Sequence, residues 1–386
     1  MNLAWIKIFY MSPLIKSVRT ILLVFMITFL LIITIDFIFG KKIVVFIKSY
    51  NINKNLSITR DKLAIKNDQF SYNFKENLNQ EAYYIDLYRI CTNKISLRVS
   101  CKDQNKDNLD YDILFIGDSA TEGIGLPYEE TFVSQFEKKV NVRVGNLGIS
   151  SYSPHSYYNK IKAYSKKIDY NNLNEVIVFV DLSDVRDDLV RNQKIVNIND
   201  IKNEKIIKKK GIQNSEENKF NLKDLKFFLK KNIPISYELA STLKNWRLPS
   251  PKYMYIKSYP KSAWTYNENF EGYDVRKGVD LNIYHMTKLY NFLNSYDVKL
   301  SLAIYPWPNT LLYDQSSSRQ VEIWKNFCIN KCNNFINFFP TFFENNEKLE
   351  FNNAKRLIKK YFIRGDMHYN ALGNKKIANK LIELYK

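Results

Sequence analysis

Three residues that lie far apart in the sequence could together form an activated nucleophile: Ser119, Asp366 and His368. Ser119 directly follows the apolar run 113–116 and a Gly-Asp pair. A continuous apolar run is typical of a buried parallel strand, and in open α/β sheets functional residues collect at the carboxyl ends of strands. The sequence therefore predicts that Ser119 is presented at a strand end, where a base could activate it for attack on a carbonyl carbon.

The candidate base is His368, which has the carboxylate of Asp366 two residues before it. On an extended loop, residues two apart project to the same side. Asp366 could then accept a hydrogen bond from one imidazole nitrogen and leave the other to take the proton of Ser119. Two further histidines have poorer settings, because His155 stands at a predicted helix start and His285 lies inside a helical pattern. A surface histidine without a role is the simpler alternative.

Two loops at other predicted strand ends could complete the site. In the first, the backbone N–H of Gly148 could point at a developing oxyanion, and in the second, Ser183 could donate a hydrogen bond to it. Asp184 could organise the second loop by accepting backbone N–H bonds. A plain turn and a helix cap explain the same residues equally well, so these alternatives stay open.

Four short segments, taken in chain order, resemble the motifs of the SGNH/GDSL hydrolase superfamily: Gly117-Asp118-Ser119, Asn146-Leu147-Gly148, Ser183-Asp184 and Asp366-x-His368-x-Asn370. The resemblance covers about residues 110–386. It implies a flavodoxin-like three-layer α/β/α sandwich with a central parallel sheet. It also implies Ser119 as nucleophile, His368 as base and Asp366 as orienting acid. The implied oxyanion hole consists of the Ser119 and Gly148 amides and a side chain of the third segment, and no metal or organic cofactor is implied.

The sequence departs from the superfamily pattern at two places. Ser183 stands where the usual Gly-x-Asn-Asp segment has its asparagine, and loss of one oxyanion donor costs about 2.7–4 kcal/mol of transition-state stabilisation. The spacing Asp-x-His replaces the common Asp-x-x-His and resembles the branch of envelope polysaccharide O-acetyltransferases and deacetylases. We therefore expect a serine esterase or O-acyltransferase acting on acylated envelope glycans. A catalytically degenerate domain that binds a glycan or a partner in surface-polymer assembly is the alternative.

A single apolar segment has the length of a membrane span. The residues of Ile21–Phe39 are apolar except for two threonines and Asp36, and at about 1.5 Å per residue they cover the roughly 30 Å hydrocarbon core. We expect a retained membrane helix at 21–40 after a short head of residues 1–20, with Asp36 solvated at the interface as an end marker. Basic residues flank both sides, so the positive-inside rule does not set the orientation.

The four cysteines form two close pairs, Cys91 with Cys101 and Cys328 with Cys332. Such pairs suit short-loop disulfides. A zinc site built from four thiolates lacks its usual tight C-x-x-C spacing, and free thiols remain an alternative. The favoured interpretation is at least one disulfide, which predicts a catalytic domain outside the cytoplasm, in the periplasm.

The pattern along the chain predicts a stalk merging into the domain edge at 41–110 and a catalytic domain at 111–386, interrupted by an insertion at about 186–275. The insertion is a lid, a substrate-binding subdomain or a loop. Strands alternate with helices, which favours a parallel sheet with helices on both faces. The predicted strands are Ile113–Ile116, Val142–Asn146, Glu175–Val180, Lys299–Tyr305 and Phe335–Phe339. The predicted helices are Phe132–Val140, His155–Lys167, Leu281–Tyr296, Ser317–Lys331 and Asn374–Tyr385.

The net charge of +19 comes from 58 Lys+Arg against 39 Asp+Glu. These basic residues are spread along the whole chain, and no nucleic-acid-binding motif accompanies them. The charge therefore predicts a solvated basic surface, with an ester substrate and the membrane as partners and no nucleic acid.

Overall fold

The computed structural model describes residues 19–39, 63–84, 87–106, 109–191 and 261–385, together with residues 232, 233 and 236. The chain divides into two compact units. The first comprises Met1–Leu56 and Lys210–Pro249, and the second comprises Ser57–Lys209 and Ser250–Lys386.

The described part of the first unit is dominated by helix α1, Arg19–Phe39. This helix of 21 residues is long and apolar enough to cross a membrane, judged by length and composition. Its two threonines, Thr28 and Thr34, donate their hydroxyls to the carbonyl four residues earlier, at 2.8 Å each. The only polar hydroxyls of the apolar stretch are thus satisfied within the helix itself.

The expectation of a solvated Asp36 is wrong. The residue is 3% exposed, and its carboxylate accepts the backbone N–H of Ser236. A buried carboxylate needs a hydrogen-bond donor, and here the insertion supplies one. The rest of the insertion lies mostly outside the described residues, so its role as lid, subdomain or loop stays a prediction.

The second unit is built on an eight-stranded sheet with the order β10-β9-β8-β6-β7-β5-β4-β3. A separate antiparallel hairpin precedes it, formed by β1 (Ala64–Asn67) and β2 (Ser71–Phe74). The sheet strands are β3 (Asn79–Tyr83), β4 (Leu87–Thr92), β5 (Arg98–Val99), β6 (Ile113–Gly117), β7 (Val144–Asn146), β8 (Glu175–Val180), β9 (Lys299–Ile304) and β10 (Phe335–Asn337). Only β8 has the predicted bounds at both ends; the other four predicted strands differ by one or two residues at one end.

Strands β6 to β10 pair with one another in parallel. Counted along the chain, their spatial order is 2-1-3-4-5, which is the doubly wound flavodoxin-like order. The predicted α/β fold with a central parallel sheet is thereby confirmed. The strand order reverses between β6 and β8, and ligand sites of such sheets lie at the carboxyl ends of strands at that switch point.

The helices of the second unit connect and cover these strands. They are α2 (Ser119–Glu122), α3 (Phe132–Val140), α4 (Pro154–Tyr164), α5 (residues 184–191), α6 (Val275–Asn294), α7 (Pro308–Tyr313), α8 (Arg319–Cys328), α9 (Phe339–Phe342), α10 (Phe351–Tyr361) and α11 (Ala371–Tyr385). The connections β6-α3-β7 and β7-α4-β8 run in opposite directions along the sheet. Because such crossovers are right-handed, α3 and α4 lie on opposite faces. Accordingly, α3 packs against α11, and α4 packs against α6.

The helix predictions hold to different degrees. Helix α3 has the predicted bounds, whereas α6 begins six residues earlier than expected, at Val275 instead of Leu281. Helices α7 and α10 were not predicted. Helix α10 nevertheless buries Ala354, Leu357, Ile358 and Tyr361, a spacing that is typical of an amphipathic helix.

The region expected to be a stalk merging into the domain edge contributes three antiparallel strands to the main sheet. Strand β5 joins this part to the parallel part by pairing Arg98 with Asn146 on β7. The Arg98 side chain is completely buried and donates to the backbone carbonyls of Glu122, Gly123 and Leu126. The domain therefore begins well before residue 111, and its edge is fixed to the loops that follow β6.

Both cysteine pairs are disulfide-bonded, Cys91 with Cys101 and Cys328 with Cys332. The first closes a loop that connects β4 to the turn after β5. With all four cysteines paired, a four-thiolate zinc site is excluded.

Candidate active site

The structure brings the three predicted catalytic residues into one hydrogen-bonded row. The Oγ atom of Ser119 lies 2.7 Å from Nε2 of His368. On the other side of the ring, Nδ1 of His368 hydrogen-bonds to Oδ1 of Asp366. The backbone N–H of His368 also donates to this carboxylate oxygen, at 3.0 Å. With the proton on Nδ1, Nε2 is free to accept the hydroxyl proton of Ser119.

Ser119 owes its position to a sharp transition from strand to helix. Strand β6 ends at Gly117, and α2 begins at Ser119 with Asp118 as its cap, which accepts the N–H of Ala120 at 3.0 Å. A Cβ atom on Gly117 would lie 2.2 Å from the Thr121 side chain, so the tight turn requires glycine there. The serine is thereby held at the carboxyl end of a central strand, as predicted.

Asp366 and His368 lie on a short loop between α10 and α11 that is closed by backbone hydrogen bonds. The N–H of Ile363 donates to the carbonyl of His368 at 2.9 Å, and the N–H of Asp366 donates back to Ile363 at 3.0 Å. Asn370 then fixes the start of α11 by accepting the N–H of Gly373 at 3.0 Å. Such mutual bonds define the loop conformation and, with it, the direction of the imidazole.

The charges of the pair support each other. Burial opposes a charged imidazole, but the hydrogen bond and the negative charge of Asp366 outweigh it and raise the pKa of His368. Burial would likewise raise the pKa of Asp366, but hydrogen bonds from His368 and Tyr84 lower it to about 2. Asp366 is therefore ionised at any working pH, and His368 is a stronger base than a free imidazole.

Tyr84 is a residue of this site that the sequence did not reveal. Its hydroxyl donates to Oδ2 of Asp366 at 2.9 Å and lies 3.0 Å from Nδ1 of His368. The phenol and imidazole rings meet edge to face, with centroids 5.2 Å apart. Tyr84 follows β3 in a polar stretch without a motif, 282 positions before Asp366, so nothing local indicates the contact.

A buried acidic cluster lies beneath the nucleophile. Oδ2 of Asp118 accepts the Ser119 hydroxyl at 3.1 Å, a longer contact than the one to His368. The Tyr305 hydroxyl donates to Asp181 at 2.7 Å and contacts Asp118 at 3.1 Å. Burial and the charge of Asp181 raise the pKa of Asp118 to about 7. The Ser119 hydroxyl thus has two possible acceptors, of which the imidazole is the nearer.

The backbone N–H of Gly148, which we expect to point at the oxyanion, has a hydrogen-bond partner within its own loop. Its N–H donates to Oδ1 of Asn146 at 2.9 Å, and the same amide side chain donates to the carbonyl of Thr121 at 2.9 Å. An oxyanion would have to compete with Asn146 for the Gly148 amide, so the part of Gly148 in an oxyanion hole stays a prediction. A Cβ atom at this position would lie 2.5 Å from the backbone nitrogen of Glu122, and glycine is required here by close packing.

Ser183 and Asp184 lie in the turn after β8. Ser183 is 3% exposed, and its backbone N–H donates to Asp181 at 2.7 Å. Asp184 accepts the N–H of Asp181 at 3.0 Å and the hydroxyl of Tyr157, which organises this loop as expected. The part of the Ser183 hydroxyl in an oxyanion hole stays a prediction.

The two remaining histidines pack against each other away from this row. The rings of His155, at the start of α4, and His285, inside α6, meet edge to face with centroids 5.0 Å apart. Burial lowers the pKa of each to about 4, so both are neutral packing residues. Within the described part of the chain, no group of three or more metal-ligating side chains is assembled.

A cavity of about 260 Å³ adjoins the site through Tyr84. Most of the side chains that line the cavity are aromatic or apolar, whereas Glu122 and Ser150 are polar. The residues that line it include Tyr72, Tyr84, Tyr88, Glu122, Ile124 and Ser150. Glu122 is buried and accepts the hydroxyl and the N–H of Ser150 at 2.6 Å each.

No protein-family model matches the sequence, and no curated protein matches it either. The chain is similar to a solved lipolytic protein of the G-D-S-L family from Veillonella parvula, at 14% identity over 72% of this chain and 98% of that chain, with a TM-score of 0.37. A G-D-S-L family protein from Desulfitobacterium hafniense has 14% identity, coverage of 72% and 97%, and a TM-score of 0.34. An acetylxylan esterase from Geobacillus stearothermophilus has 12% identity, coverage of 71% and 94%, and a TM-score of 0.35.

A likeness at this level carries no argument about activity. The three solved proteins themselves are described as two lipolytic proteins of the G-D-S-L family and an acetylxylan esterase.

Proposed function

We propose that the protein is a membrane-anchored serine ester hydrolase or O-acyltransferase of the SGNH type. The single observation that supports this most is the row of hydrogen bonds from Ser119 through His368 to Asp366. The Oγ atom of Ser119 and the Nε2 atom of His368 are 2.7 Å apart, and at this distance a base can take the hydroxyl proton.

In the proposed reaction, His368 takes the proton of Ser119 while Oγ attacks the ester carbonyl carbon and the carbonyl electron pair moves to its oxygen. Asp366 stabilises the imidazolium that forms. The imidazolium then gives its proton to the leaving alcohol as the C–O bond breaks, which leaves an acyl group on Ser119. Water or a sugar hydroxyl, deprotonated by His368, attacks this acyl-enzyme and restores the serine. The nucleophile, the base and the orienting acid of this reaction are the side chains of Ser119, His368 and Asp366.

The oxyanion would rest on the Ser119 N–H and the Ser183 hydroxyl. Gly148 is left out because its amide donates to Asn146. Each well-placed donor contributes about 10²–10³ in rate, so a site with fewer donors turns over more slowly.

An acylated envelope glycan is the substrate class that we propose. The cavity beside Tyr84 supports it, since aromatic faces pack against sugar rings and Glu122 can accept hydroxyl groups. The two disulfides support a location outside the cytoplasm, in the periplasm, because disulfides persist in oxidising compartments.

The membrane anchor would be α1. Its apolar side chains are largely exposed, for example Phe25 at 72% and Ile21 at 67%. An apolar surface of that extent is unfavourable in water and is covered when the helix lies in hydrocarbon.

Two observations favour a second candidate, a domain that binds a glycan or a partner without turnover. The Gly148 amide is engaged, and Ser183 stands in the place of an asparagine. Such a domain would keep the fold and the cavity but react slowly or not at all.

Labelling with a serine-directed fluorophosphonate distinguishes the two candidates. We expect the full-length protein in detergent to be labelled, and the label to be lost in Ser119→Ala and greatly reduced in His368→Ala. Ser295→Ala, which removes an exposed serine at a helix end, is the matched control and should label normally. A wild-type protein that remains unlabelled would favour the binding domain.

A further inference from the structure

We propose that Tyr84 is a positioning residue whose hydroxyl locks the Asp366–His368 pair in the orientation that aims the imidazole at Ser119. The inference rests on the proposed function, since it concerns the same catalytic row. It adds a fourth side chain, from a part of the chain that the superfamily motifs do not include.

The first support is the complementary use of the two carboxylate oxygens. Oδ1 of Asp366 accepts hydrogen bonds from Nδ1 and from the backbone N–H of His368. Oδ2 accepts the Tyr84 hydroxyl at 2.9 Å. Rotation of the carboxylate would break bonds on both oxygens. Tyr84 therefore fixes the plane of the carboxylate and, through it, the ring that bonds to Oδ1.

The second support is the direct contact of Tyr84 with the imidazole. The phenol oxygen lies 3.0 Å from Nδ1, and the two rings are nearly perpendicular, at 85°. A 180° rotation of the imidazole would exchange Nδ1 with Cδ2 and Nε2 with Cε1, which would put a carbon in place of Nδ1 beside the Tyr84 oxygen. The contact thus favours the one orientation in which Nε2 faces Ser119.

The third support is the way Tyr84 is held. It directly follows β3, which pairs antiparallel with β4 along its whole length, from Asn79 to Tyr83. Strand β4 in turn carries Cys91, which is cross-linked to Cys101. Such anchoring gives the hydroxyl a defined position relative to the sheet.

Protonation keeps the hydroxyl a donor. Burial and the charge of Asp366 hold the pKa of Tyr84 well above its ordinary value. The phenol therefore remains protonated at every pH at which the enzyme would work, and the hydrogen bond to Asp366 is always available.

The competing view is that Tyr84 is only a wall of the adjoining cavity. Tyr84→Phe separates the two views because it keeps the ring and removes only the hydroxyl. The matched control is Tyr164→Phe, which removes a buried hydroxyl that donates to Ile95 at 2.7 Å and does not contact the catalytic row.

The experiment uses full-length protein in detergent with p-nitrophenyl acetate as substrate. We expect Tyr84→Phe to lower kcat roughly 10- to 100-fold, which is the effect of losing one hydrogen bond to a charged group, with KM changed less than about twofold. Proton NMR should show a shift of the low-field Nδ1 proton of His368. Tyr164→Phe should leave kcat and this resonance unchanged, even if it unfolds at lower temperature.

A Tyr84→Phe protein with wild-type kcat and an unmoved Nδ1 resonance would reduce Tyr84 to a packing residue. If the wild type hydrolysed no ester, the proposed function would fail by itself. The Nδ1 resonance of wild type and Tyr84→Phe would still decide the positioning role, so the two failures are distinguishable.

Discussion

The two parts of the main sheet contrast in sequence and in what they contribute to the site. Strands β6 to β10 include runs that are buried throughout, such as β8, all six residues of which are buried. Strands β3 to β5 contain charged and amide side chains such as Glu81, Arg89 and Asn79. The parallel part presents the nucleophile, yet the antiparallel part supplies the hydroxyl that contacts both Asp366 and His368. The catalytic arrangement is thus shared between a region with an obvious pattern and one without.

The two parts are also held together by different interactions. The parallel part has an aromatic core in which Phe132 and Phe179 stack with centroids 4.5 Å apart. The antiparallel part depends on the buried Arg98 and on the Cys91–Cys101 link. We expect replacement of catalytic residues to lower activity, and replacement of the Cys91–Cys101 link to lower stability.

The largest effect is expected from Asp366→Asn. Loss of the carboxylate removes the charge that orients and stabilises the imidazolium, and we expect kcat to fall about 10⁴-fold. The wild-type acid limb of kcat/KM should lie above about pH 6.5, because Asp366 raises the pKa of His368 and the neutral imidazole is the active form. Without Asp366 the pKa of His368 falls, so the acid limb should move to lower pH.

A pH series with p-nitrophenyl acetate measures this shift. The control is Asp274→Asn, the exposed cap of α6, which should keep the wild-type profile. An acid limb that does not move in Asp366→Asn would contradict the proposed pairing.

A smaller effect is expected from Ser183→Ala. If its hydroxyl supports the oxyanion, kcat should fall by about 10², with little change in KM. Ser156→Ala is the control, because Ser156 is fully buried and its Oγ has no partner within the described ranges. Equal kcat values for the two variants would remove Ser183 from the mechanism.

The smallest effect on activity, and a measurable one on stability, is expected from the disulfides. The loop closed by Cys91–Cys101 spans 10 residues and that closed by Cys328–Cys332 spans 4. By loop entropy, replacing each pair with serine should lower the free energy of unfolding by about 3 and about 2 kcal/mol, respectively. Urea unfolding of detergent-solubilised protein measures both. If replacing Cys91–Cys101 lowered the free energy of unfolding less than replacing Cys328–Cys332, the antiparallel part would not depend on its cross-link.

The sequence was informative where burial or periodicity imposes a pattern. The bounds of β8 and α3 are as predicted because one is apolar throughout and the other repeats at helical spacing. The meeting of Ser119, Asp366 and His368 was predictable because the three residues match motifs of the superfamily that the sequence resembles, although only Ser119 directly follows a strand. The two surprises, Tyr84 and the engaged amide of Gly148, depend on contacts between segments whose relative placement no local pattern encodes.

The regions that sequence analysis missed differ among themselves. Helix α10 has a readable apolar spacing that is hidden among Asn and Lys residues. Strands β3 to β5 have no such spacing, because strands near a sheet edge tolerate polar residues on an exposed face. Their place in the sheet follows from the pairing of Arg98 with Asn146, a long-range contact.

The hydrogen bond from the backbone N–H of Ser236 to Asp36 links helix α1 to the insertion. An acid within an otherwise apolar helix is costly in lipid unless a donor accompanies it, and here the donor belongs to a segment 200 positions further along the chain. An unrelated apolar helix could hold the protein at the bilayer, but it would deprive that amide of its acceptor. Helix α1 and the insertion are therefore interdependent in sequence, and a graft that exchanged one would have to exchange the other.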